Sequence, residues 1–214
     1  MDKLKILFVA LLLLSNVAYS EERCKGDGYD FRKLLRITHE EIKNVRIGKG
    51  GDININKFIN IVNDVIRHSS ELECYHVGIE SAIYHNIAVL AVLSESKRLI
   101  KAYIDFIIDI RGSANEMIYI DYAKLYFFHP KEIVQAIAKR KSTEERQYLV
   151  KSLSEGIFIL LFSYCTRNNY RKTIATFFKH IGIKGKYDRE IYLRVIKLMK
   201  KELTSNSTED RRDK

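Results

Sequence analysis

Proline is close to absent, with Pro130 the single one in 214 residues. Proline breaks helices by removing a donor and crowding the preceding turn, so its scarcity leaves long helices open to this chain. The apolar residues recur at intervals of three and four rather than two, which excludes alternating strands and predicts an all-α protein. Signatures of common chemistry are missing as well. There is no His-Glu-x-x-His and no Cys-x-x-Cys, so the usual zinc spacings are excluded. Of His68, His76 and His85, the last two are nine residues apart and would face opposite sides of one helix. The chain also has no Gly-x-Ser-x-Gly, the strained turn that presents a hydrolase nucleophile. Cys74 and Cys165 fall within apolar helical patterns, where burial disfavours the thiolate. No catalytic residue, metal site or cofactor is assigned on this basis, and the expectation is a protein that is not an enzyme.

No uncharged apolar stretch reaches the roughly 20 residues that a membrane-spanning helix needs. The longest begins at the N-terminus: Lys3 and Lys5 form a basic start, and Leu4 to Leu14 is apolar apart from Lys5. Ala18-Tyr19-Ser20 then puts small residues at the two positions that a signal peptidase reads. Residues 1–20 are therefore expected to be a signal peptide, with Glu21 the first mature residue. The protein would be secreted, with no membrane association after cleavage. Removing Asp2, Lys3 and Lys5 leaves 37 − 2 = 35 basic and 27 − 1 = 26 acidic residues, a net charge of +9. The basic residues are interleaved with acids, which reads as a solvated basic surface. No aromatic-and-basic array with the spacing of a nucleic-acid module is present, so no nucleic-acid partner is expected.

What is present is a succession of amphipathic segments. Residues 21–203 read as one helical domain of eight or nine helices, a compact bundle with possible halves at 29–112 and 115–203. Residues 204–214 read as a polar tail. Tyr29 to Arg46 forms the first helix, ended by Gly48, Gly50 and Gly51. Asn54 or Asn56 caps the second, and the third begins near Ser70. Ser94 or Ser96 caps the fourth, which Gly112 stops. The fifth helix, Asn115 to Phe128, repeats Tyr119, Tyr122 and Tyr126 at helical spacing, a pattern typical of core and boundary positions. Pro130 opens the sixth at its first turn. Ser142 and Glu145 form a capping box for the seventh, whose run from Ile157 to Phe162 is apolar on all sides and reads as central and buried. An eighth ends at Gly182 and a ninth follows Lys186. Tyr75, Ile79, Leu153, Ile157, Leu161 and Tyr164 are the expected centre of the core.

Two stretches of this chain echo each other. Cys74-Tyr75-His76 and Ser163-Tyr164-Cys165 each set a tyrosine beside a cysteine, and the tyrosines lie 164 − 75 = 89 residues apart. The same offset places Tyr103 on Tyr192, Phe106 on Val195 and Ile107 on Ile196, as an internal duplication would. Cys24, Cys74 and Cys165 permit one disulfide in an oxidising compartment and leave one thiol over. Three pairings are possible. The tyrosine neighbours favour Cys74–Cys165 over the two pairings of Cys24, if the third and seventh helices cross antiparallel there. Asn206-Ser207-Thr208 is a glycosylation sequon that secretion would make usable.

A signal peptide, a helical chain of this size and two motifs of Cys–Tyr–Cys type separated by half the mature chain resemble the bicycle (bi-CYC) family of aphid secreted proteins. Each motif here keeps its tyrosine and lacks one cysteine. The resemblance implies a salivary effector delivered into a host plant, with a host protein as its partner. The alternative is a secreted helical carrier of small hydrophobic ligands, a class that usually relies on more disulfides than three cysteines allow.

Overall fold

The computed structural model describes residues 30–44, 54–68, 77–93, 96–111, 116–182 and 184–209. Among these residues the protein is all-α, with nine helices and no strand. In chain order they are α1 (Phe31–Asn44), α2 (Ile55–Arg67), α3 (Val77–Leu93), α4 (Lys97–Asp109) and α5 (Glu116–Phe128). Then follow α6 (Pro130–Ala138), α7 (Thr143–Phe162), α8 (Tyr170–Ile181) and α9 (Lys186–Glu209). They fall into two compact units, α1–α4 and α5–α9.

Local chemistry places the helix ends. Asp30 accepts the Lys33 N–H at 3.0 Å and Asn54 accepts the Lys57 N–H at 3.0 Å, so Asn54 rather than Asn56 caps α2. Ser142 accepts the Glu145 N–H at 3.3 Å, the expected start of α7. A side-chain acceptor here satisfies one of the orphan N–H groups of a first turn. Pro130 occupies the first turn of α6. Gly182 ends α8 with φ at +78°, a left-handed cap that glycine adopts without a Cβ clash.

In the first unit α3 packs against α1 and α4, and α2 against α4. Helix α3 is buried on nearly every side: Ile83, Ile87 and Leu90 are fully covered, as are Tyr84 and Ala91. Burying each of the large aliphatic side chains contributes about 1.5–3 kcal/mol. The Tyr84 ring meets Phe106 of α4 edge-on, with centroids 5.1 Å apart. Polar groups of α1 and α3 also meet inside this unit. Asn86 of α3 donates to the Thr38 hydroxyl of α1 at 2.9 Å, and that hydroxyl donates to the Leu35 carbonyl at 2.8 Å. Lys57 of α2 and Glu41 of α1 form an ion pair nearer the surface.

In the second unit α7 packs against α5, α6 and α9, while α8 packs on α9. The α5–α7 contact is set by Gly156, where a Cβ would overlap the Tyr119 carbonyl and come within 3.2 Å of the Ala123 methyl. Leu153 and Ile157 are fully buried and Leu161 nearly so. The rest of the run departs from the sequence reading: Phe158, Ile159, Leu160 and Phe162 are only half-buried. A helix near the middle of its unit still has one side toward the boundary, and the last turn of α7 emerges there. Tyr122 and Tyr126 are fully buried and Tyr119 half-buried, as core and boundary residues. Tyr164 is a correction: it is 71% exposed and not part of the core. Tyr75 lies outside the described residues, and Ile79 belongs to α3. The final helix is longer than expected, continuing from Leu203 to Glu209 where a polar tail was read.

Candidate functional site

Residues 163–169 join α7 to α8 and carry the second tyrosine–cysteine motif. The segment Thr166-Arg167-Asn168-Asn169 offers no apolar side chain to bury, so α7 ends at Phe162. Asn169 holds the turn together, accepting the Thr166 N–H at 2.6 Å and donating to the Tyr164 carbonyl at 3.4 Å. Such a turn competes with helix by offering the backbone a side-chain partner. Cys165 therefore sits in a loop, which corrects its assignment to an apolar helix. It is a half-buried free thiol. Burial pushes its pKa up, with a hydrogen bond to Thr173 working the other way, so the thiolate is scarce at neutral pH. An exposed tyrosine beside a deactivated thiol is poorly equipped for nucleophilic chemistry and well placed for contact.

Cys24, Cys74 and Tyr75 lie outside the described residues, as does residues 1–20. Cys165 is the described end of the expected Cys74–Cys165 pairing, and as a free thiol it does not form that disulfide in this structure. Asn206 falls within α9. Among the described residues no group of His, Cys, Asp and Glu side chains is arranged to hold a metal ion, and no helix is long and apolar enough to cross a membrane.

A buried polar centre anchors the start of α9. Asp188 is 5% exposed. One of its carboxyl oxygens accepts the Tyr126 hydroxyl at 2.6 Å. The other accepts the backbone N–H groups of Gly185 at 3.1 Å and Lys184 at 3.3 Å. A carboxyl group at this position suits the first turn of a helix, whose N–H groups lack partners of their own. Tyr126 is driven well above its ordinary pKa, first by burial and then by the bond to Asp188. Around it the rings of Phe178, Tyr192 and Phe127 tie α5, α8 and α9 together. Tyr126–Phe178 centroids are 6.5 Å apart, Phe178–Tyr192 5.2 Å, and Phe127 stacks on His180 at 5.4 Å. This centre fixes the helix whose outer face carries charge.

The charge is less evenly spread than a reading of the whole chain suggests. Between Ser163 and Lys201 there are eleven Lys and Arg residues and two acids, a net of 11 − 2 = +9. That equals the net charge of residues 21–214, so the remaining residues of that span balance, with 24 basic and 24 acidic. Of the two acids, Asp188 is occupied inside and Glu190 is bound to Arg194 at 3.3 Å. Helix α8 contains no acid at all. Arg167 reaches across from the loop to donate to the Leu203 carbonyl at 2.8 Å, tying the motif-bearing loop to the far end of α9. A window of about forty residues, rather than the whole chain, reveals this concentration.

Compared with known proteins, the chain matches no family model, no curated protein and no solved structure.

Proposed function

We propose that the chain is a secreted effector of the bicycle type, delivered in saliva into a host plant, which acts by binding a host protein. Residues 1–20 supply the reason for secretion: a basic start, an apolar run and a small-residue cleavage site. The two tyrosine–cysteine motifs supply the resemblance to the family.

Binding rather than catalysis rests on one observation. The net charge of the mature chain is gathered between Ser163 and Lys201, on a loop and two helices that an aromatic cluster joins. Concentrated surface charge attracts and orients a complementary partner, raising encounter rates and rejecting like-charged surfaces. The exposed Tyr164 on the same segment adds a side chain of the kind enriched at interfaces.

A pull-down from host-plant extract with tagged mature protein tests the reading. A discrete set of host proteins should be retained, and excess untagged protein should compete them away. Retention of nothing beyond the tag-only background would contradict it.

A further inference from the structure

Helix α9 has two faces. Asp188, Ile191, Val195 and Met199, spaced three and four apart, are buried in the second unit. The opposite arc carries Lys186, Arg189, Leu193, Lys197 and Lys200, all exposed. At 100° per residue these five fall within about 80° of one another around the helix axis. Among the described residues Arg189, Lys197 and Lys200 form no ion pair. Leu193 stands in the middle of these cations and is 55% exposed, one of few large apolar side chains so placed. From Lys186 to Lys200 is fourteen residues, about 21 Å along the axis.

We propose that this face of α9 is a docking surface for an acidic protein segment that carries an apolar side chain, an acidic amphipathic helix in its simplest form. The inference rests on the reading that the protein acts by binding a protein, and it names the surface and the chemistry of the partner. Charge complementarity requires an anionic occupant, and Leu193 selects among anions. A phosphate backbone has nothing to cover a leucine set between lysines. A lipid surface draws in amphipathic helices by a whole apolar face, and that of α9 is already used by Ile191, Val195 and Met199 inside the unit. An acidic helix offers carboxylates at i, i+3, i+4 and i+7 and one apolar side chain among them, which matches both features along about four turns.

Binding to the mature chain would be measured with four probes: a synthetic acidic helix bearing one central leucine, the same helix with serine there, a short DNA duplex, and phosphatidylserine vesicles. The leucine-bearing helix should bind tightest, and replacing its leucine by serine should weaken it. Lys197→Glu with Lys200→Glu should weaken it about tenfold or more, and Leu193→Ala about fivefold. All three positions are exposed, so both variants should keep the wild-type melting curve. Tighter binding of DNA or vesicles, no binding of the acidic helix, or a charge-reversed variant that binds it as well as wild type would overturn the proposal. The plant-extract pull-down separates the two readings. Host proteins retained equally by wild type and the charge-reversed variant would remove α9 and leave protein binding standing. An empty wild-type pull-down would remove protein binding itself.

Discussion

Asp188 occupies a register position that hydrocarbon fills along the rest of its stripe, since Ile191, Val195 and Met199 follow it at i+3, i+7 and i+11. Thr38 does the same in α1, between Leu34 and Ile42. Burial of a polar group costs free energy unless it finds a partner, and each of these has one: Asp188 has Tyr126, and Thr38 has Asn86. Both were legible in principle, as polar residues interrupting an apolar register. Their partners were not, because a partner 48 or 62 positions away has no local signal. Tyr126→Phe removes a hydrogen bond from a buried carboxyl group and should lower stability by about 1–3 kcal/mol at neutral pH, read from chemical denaturation. The pH dependence has a definite sign. Tyr122 and Tyr126 are raised well above the ordinary value in the folded protein, chiefly by burial, whereas in the unfolded chain they titrate near about 10. Above that pH the unfolded state holds fewer protons, so stability is full below about pH 10 and falls as pH rises beyond it. Tyr126→Phe should flatten that alkaline decline. A variant with wild-type stability and an unchanged alkaline slope would show that the buried bond contributes nothing.

Helices and their ends were the most legible elements. Ser142 with Glu145, Asn54, Pro130 and Gly182 act through neighbours within four residues, which is the range over which sequence speaks directly. Which apolar run lies deepest depends on what surrounds it, and here the sequence misled. Helix α3 is enclosed on nearly all sides, while the last turn of α7 reaches the boundary with Phe158 and Phe162 half-buried. Tyr164 was misplaced for a related reason: helical spacing was carried past Phe162 into a loop that Asn169 organises. The α5–α7 crossing turns on Gly156 facing the Tyr119 backbone. Backbone cannot yield as a flexible side chain does, so Gly156→Val should force the two helices apart at a cost of about 3 kcal/mol or more. Thermal unfolding of the variant checks it. A melting curve that overlays wild type would mean the helices do not pack this closely.

At the scale of the molecule, the 89-residue offset aligns some contacts of the two units but not the leading ones, α1–α3 and α5–α7. Shifting by 89 residues carries the start of α4 at Lys97 onto the start of α9 at Lys186, and brings α2 and α3 onto the regions of α7 and α8. The α2–α4 and α3–α4 contacts of the first unit then fall on the α7–α9 and α8–α9 contacts of the second. Their surfaces differ more, because the charge imbalance lies between Ser163 and Lys201 in the second unit alone. A packed scaffold that carries its net charge on one segment suits recognition of a partner, and the role we propose for it requires export. The most direct measurement is the intact mass and N-terminal sequence of protein recovered from the medium of insect cells expressing the full chain. Protein in the medium beginning at Glu21 is the predicted result; protein retained in the cells and still beginning at Met1 would contradict the account.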